Sequence, residues 1–108
     1  EMSAKELGQV AERLERENLS VLAYRFSGDA FCRAERFAAY AKALGPRFDG
    51  RVLPDPKSAQ EPRPPFFQQH VPAPHSVVTV DLVDREGEPT LQARDEIIAF
   101  FRQRLSSL

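Results

Sequence analysis

Asp29, Cys32 and His75 are the residues of this chain whose types and places could do chemistry together. Asp29 follows Gly28 at the end of an apolar run, and His75 stands in a proline-rich stretch ahead of the last helical pattern. A carboxylate so placed accepts the Nδ1–H of an imidazole, fixes its tautomer and stabilises the cation formed when Nε2 takes a proton. That is the acid and base part of a nucleophilic triad. The residues alone also allow a plainer reading, in which Gly28-Asp29 is a turn that starts a helix and His75 is an ordinary loop histidine. Cys32 falls near the start of that helix, one of the places where a thiol gains reactivity. A lone cysteine beside Phe31 reads instead as a small packed apolar residue, and it is not assigned as nucleophile. Cys32, His70 and His75 lack zinc-ligand spacing, so neither a metal nor a cofactor is expected. His70 reads as a solvated loop residue, and Phe66-Phe67 as an anchor for the proline-rich loop.

These residues must be positioned by the elements around them. Ser3 and Glu6 form a capping-box pattern, and Leu7, Val10, Ala11 and Leu14 repeat at helical spacing, which predicts a helix over Ala4 to Glu17. Leu19 to Phe26 is apolar except for Ser20 and Arg25, the pattern of a strand covered on both faces in a parallel sheet. Arg25 within it needs a partner or an edge position. A second helix is predicted over Arg33 to Leu44, with Phe37, Tyr40, Ala41 and Leu44 on one stripe and Gly45-Pro46 as the stop. Phe48 to Leu53 is a further strand, although Gly50 lowers its β propensity and Pro54 ends it. Seven of the nine prolines lie between Pro54 and Pro74, which predicts a long loop. Val77 to Val83 is β-branched and predicts an extended segment, and Asp84 to Pro89 a turn. Thr90 then caps a last helix with Leu91, Ile97, Ile98, Phe101 and Leu105 clustered on one face. Strands alternating with helices make this an α/β fold with a strand-helix-strand core, flanking helices and right-handed crossovers.

The balance of charges narrows the function classes. Fifteen Lys and Arg against sixteen Asp and Glu give a net charge of -1, with both signs scattered, so no basic stripe points to nucleic acid. Apolar runs such as Val21-Leu22-Ala23-Tyr24 and Ile97-Ile98-Ala99-Phe100-Phe101 are too short for a membrane span or a secretory h-region, and a cytoplasmic location is the default. At 108 residues and 42% apolar content the chain is one domain or part of one. Met2 is preceded by Glu1, so processing, a cloning boundary or a removed upstream segment is expected.

One resemblance joins these readings. Val21 to Cys32 followed by Glu35-Arg36-Phe37 is similar to the acid-bearing strand and loop of the dienelactone hydrolase family. Pro74-His75-Ser76-Val77-Val78-Thr79, then Pro89-Thr90 leading into Ile97-Ile98-Ala99-Phe100-Phe101, resembles that family's histidine loop and closing helix. The resemblance implies that residues 1–108 form a single partial domain, the C-terminal part of an α/β-hydrolase sheet, with Asp29 as triad acid and His75 as triad base. The family's nucleophile sits in a G-x-C-x-G or G-x-S-x-G elbow ahead of both. No such elbow is present here, and the part of the oxyanion hole that goes with it is missing too. The chain alone is therefore expected to be inactive. Its expected partner is the missing N-terminal hydrolase segment, which would complete a site for a small ester or lactone, or a second copy in a dimer. The alternative is a non-catalytic interaction or dimerisation module on a hydrolase-derived scaffold.

Overall fold

The computed structural model describes residues 2–56, 65–71 and 73–106. Helix α1 spans Ala4–Arg16, and its start is the expected capping box: Ser3 Oγ accepts the Glu6 N–H at 3.2 Å and Glu6 Oε1 accepts the Ser3 N–H at 3.0 Å. Leu7 and Leu14 on one face are buried. The helix ends one residue early because Asn18 takes a left-handed conformation (φ 53°). The N–H of Leu19 then returns to the Leu14 carbonyl at 2.9 Å and that of Asn18 to Glu15 at 3.3 Å, a Schellman closure. Leu19 is used up in that closure, so strand β1 begins at Val21 and runs Val21–Phe26, rather than from Leu19.

Strand β1 pairs in parallel with β2 (Phe48–Leu53), in a register running from Val21 opposite Phe48 to Phe26 opposite Leu53. Helix α2 (Ala34–Leu44) and a short 3₁₀ turn at Gly45–Arg47 connect them. Arg33 precedes α2 as its N-cap instead of joining it, with extended backbone and no side-chain cap. Gly50, a weak strand former, has a packing role. A Cβ there would stand 2.8 Å from the Phe37 ring and 2.5 Å from that of Phe48, rings that meet edge to face at 5.4 Å. Glycine lets α2 close onto β2. The observed class is α/β, with helices around a two-stranded parallel sheet among the described residues.

Larger departures from expectation lie in the second half of the chain. Pro65–His70 forms a short helix, α3, inside the stretch expected to be a loop, since a proline in the first turn needs no N–H partner and has its φ already set. Residues 57–64 and 72 of that stretch lie outside the described residues. Val77 to Val83 is a series of turns, not an extended segment, because the Asp81 side chain and N–H both turn back to the start of the segment. The last helix, α4, spans Pro89–Leu105 with Glu88 as N-cap. Thr90 does not cap it. The Thr90 hydroxyl instead accepts the Val83 N–H at 2.9 Å and donates to the Val83 carbonyl at 3.4 Å.

Helix α4 packs on β1 through a face that matches the expected one only in part, since Leu91 and Ile97 of that face are half-buried. Thr90 and Ala93 are its buried residues, and Glu96 one turn further on accepts the Tyr24 hydroxyl of β1 at 2.7 Å. Ile98, Phe101 and Leu105 stay 42%, 57% and 63% exposed. The core joins Phe26, Val77 and Ala93, with Tyr24 and Leu53 against them, at the end of the sheet where β1 and β2 finish. No described helix is long and apolar enough to cross a membrane.

Candidate active site

The end of β1 sets the first half of the site. Phe26 is fully buried, Ser27 extends the pairing through its N–H to the Leu53 carbonyl at 2.8 Å, and Asp29 N–H turns back to Phe26 O at 3.1 Å. Gly28 lies at this turn with its N–H on Asp55 Oδ1 at 2.9 Å, and a side chain at position 28 would run into the Asp55 carboxylate. The turn delivers the Asp29 side chain inward, where it is only 1% exposed.

A carboxylate that deeply buried must have its oxygens occupied by donors. Asp29 Oδ1 accepts the N–H groups of Phe31 at 2.8 Å and Cys32 at 3.0 Å. Asp29 Oδ2 lies 2.7 Å from His75 Nδ1. That separation falls in the range of charge-assisted bonds. With Oδ1 held by two main-chain donors, the carboxyl plane is fixed and Oδ2 is aimed at the ring. The carboxylate is the acceptor, so the proton belongs on Nδ1, and Nε2 is the ring nitrogen left for proton transfer. The imidazole is 39% exposed, which gives that transfer access.

Two buried charges of opposite sign hold the two loops. Arg25 points from β1 to the acid loop, donating from Nε to the Cys32 carbonyl at 2.8 Å and from Nη2 to the Asp29 carbonyl at 3.2 Å. This answers the need for a partner created by an arginine in an apolar strand. Asp81, fully buried, accepts the N–H of His75 at 2.8 Å and of Ser76 at 2.9 Å. Sequence reasoning missed Asp81. Its signal was a lone carboxylate in Val77-Val78-Thr79-Val80-Asp81-Leu82-Val83, where an acid among apolar β-branched residues has to be partnered.

Cys32 serves the site through its main chain: its N–H goes to Asp29 and its carbonyl to Arg25, while its side chain is half-buried. His70 ends α3 with its ring 4.6 Å from that of Phe66, outside the Asp29 and His75 pair. The Phe31 ring lies 5.4 Å from the His75 ring and also lines an open cavity of about 550 Å³ with Ala30, Arg33, Glu35 and Arg36. Among the described residues no group of three or more His, Cys, Asp or Glu side chains could hold a metal ion.

A second polar cluster is structural. Tyr24 of β1 and Arg51 of β2 both reach Glu96 of α4, at 2.7 Å and 2.8 Å, and Arg51 also holds Asp49 at 2.9 Å. Burial, then the hydrogen bond to Glu96, pushes the Tyr24 hydroxyl up to about 12. The Arg51 hydrogen bond holds the Asp49 carboxyl below its usual range. The cluster fastens α4 to both strands.

Comparison with protein-family models, curated proteins and solved structures gives no match to this chain.

Proposed function

We propose that this chain is the C-terminal portion of an ester- or lactone-cleaving hydrolase of the dienelactone hydrolase kind, with Asp29 and His75 as the acid and base of a triad whose nucleophile lies in another segment. The observation that carries the reading is the bond of 2.7 Å from the buried Asp29 carboxylate to His75 Nδ1, with the second carboxylate oxygen fixed by two amides. A histidine held at Nδ1 by a carboxylate is equipped to take a proton at Nε2 and return it. In the reaction, Nε2 removes the proton of a serine hydroxyl or cysteine thiol as that atom attacks the acyl carbon. The tetrahedral intermediate collapses as Nε2 gives the proton to the departing alkoxide, and water then repeats the sequence on the acyl-enzyme. Asp29 stabilises the imidazolium in both halves. Phe31 supplies an apolar wall beside the ring.

The order strand, acid, helix, strand, histidine loop, helix supports the same reading, since Asp29 follows the carboxyl end of β1 and His75 bonds to it there. The test is reconstitution. The purified chain should leave p-nitrophenyl esters and small lactones untouched, and should gain activity only when joined by an upstream segment with a G-x-[SC]-x-G elbow. The alternative, a non-catalytic interaction or dimerisation module, is favoured by the exposure of Ile98, Phe101 and Leu105 along one side of α4. It would leave the reconstituted protein inactive while the chain still self-associates.

A further inference from the structure

We propose that Asp81 is the positioning residue for His75: its buried carboxylate clamps the main chain of the histidine loop so that the ring meets Asp29, an inference that rests on the acid and base reading of that pair. Asp81 and Phe26 are the largest side chains with essentially no exposure among the described residues. Taking a carboxylate fully out of water is strongly unfavourable unless donors replace the water. Asp81 Oδ2 receives two of them from consecutive residues, the N–H of His75 and the N–H of Ser76. The Asp81 N–H in turn bonds the Ser76 carbonyl at 3.1 Å. The end of the segment 75–81 is thereby tied to its beginning twice, once by side chain and once by main chain.

The clamp takes the place of a strand. β2 is the last strand among the described residues, so no sheet ladder fixes the backbone at His75. A ring nitrogen set 2.7 Å from Asp29 requires a fixed Cα–Cβ direction, and the His75 N–H is the atom through which that direction is held. Asp81 itself has no exposed surface, so water does not compete for its hydrogen bonds. Val83 is itself pinned to Thr90 of α4. The histidine loop thus hangs between a buried anion and a helix, as the acid loop hangs from the buried Arg25.

The test reads the Asp29 and His75 bond without substrate or nucleophile. In the intact chain carrying His70→Gln, His75 is the sole histidine, since the sequence has two. Proton and nitrogen NMR should show a downfield, slowly exchanging Nδ1–H that disappears in Asp29→Asn. We expect Asp81→Ala to lose this signal while far-UV circular dichroism keeps its helical content. Leu14→Ala, a destabilising change in α1, should keep the signal. Should Asp81→Ala fail to fold, Asp81→Asn is read instead. It still offers an oxygen to both N–H groups but without the charge, and the Nδ1–H should exchange roughly tenfold faster, the factor set by trading charged for neutral hydrogen bonds. An unchanged signal and exchange rate in the variant read overturns the role, whatever the enzyme does. A signal that depends on Asp81 in a protein that gains no esterase activity on reconstitution keeps the clamp and rejects the hydrolase.

Discussion

His75 is held at both ends by buried carboxylates: its ring by Asp29 at 2.7 Å and its main-chain N–H by Asp81 at 2.8 Å. The first sets which nitrogen carries the proton, and the second sets where the ring stands. Neither carboxylate is available to solvent.

Arg25 does for the acid loop what Asp81 does for the histidine loop, through two carbonyls. Arg25→Met keeps an aliphatic stem but leaves the Asp29 and Cys32 carbonyls without these donors, at a cost of about 1–3 kcal/mol for each one left buried. The expected result is a lower urea midpoint and loss of the downfield His75 Nδ1–H signal. A midpoint within experimental error of the parent would show that the loop holds itself.

Gly50 separates two effects of opposite sign. Alanine has the better strand propensity, a gain below about 1 kcal/mol, but overpacking a filled space costs about 1–3 kcal/mol. The space is filled here, by the rings of Phe37 and Phe48. Gly50→Ala should therefore lower the thermal midpoint, and Gly50→Ala combined with Phe48→Leu should recover part of the loss. A rise in the single variant would mean that the rings move aside freely.

The capping box at Ser3 and Glu6 and the bounds of β2 were legible in the sequence because each rests on local chemistry, whereas the pairing of Asp29 with His75 was expected only when the family resemblance was added to element order. The Val77 to Val83 segment was not. Its β-branched residues favour a strand, and the hydrogen bonds of one carboxylate, Asp81, outweigh that preference. Thr90 has the side chain of an N-cap, yet its hydroxyl is taken by Val83, a partner set by tertiary folding. The packed face of α4 was legible only at Leu91 and Ile97, for a related reason: Thr90, Ala93 and Glu96 look less apolar than Ile98, Phe101 and Leu105, and the tyrosine of β1 that makes Glu96 an inward residue lies far away in sequence.

Tyr24 gives the fold a pH limit. Its hydroxyl has a raised value of about 12 against an ordinary 10.0, so the bond to Glu96 contributes fully below about pH 10 and is lost as pH rises through 12. With Tyr40→Phe leaving one tyrosine, ultraviolet titration should show tyrosinate forming late, and Glu96→Gln should bring it earlier. Ionisation near pH 10 in the Tyr40→Phe protein would place the Tyr24 hydroxyl outside the cluster.

The exposed stripe of Ile98, Phe101 and Leu105 predicts self-association, since burying apolar surface stabilises by roughly 25 cal/mol per Å². Light scattering should report a dimer or larger species, shifted toward monomer by Phe101→Glu. A strict monomer at high concentration with a cooperative melt would show that the chain is sufficient without a partner.

The most direct measurement is p-nitrophenyl ester hydrolysis by the chain joined to an upstream G-x-[SC]-x-G segment. The expected result is turnover that the chain alone lacks, lost by about a thousandfold or more in His75→Ala and reduced in Asp29→Asn, because a triad loses its function when the base is removed. Restored activity that persists in His75→Ala would contradict the assignment and move the base to another residue, with His70 the next to test; activity of the chain alone that Cys32→Ala abolishes would contradict it by placing the nucleophile inside these 108 residues.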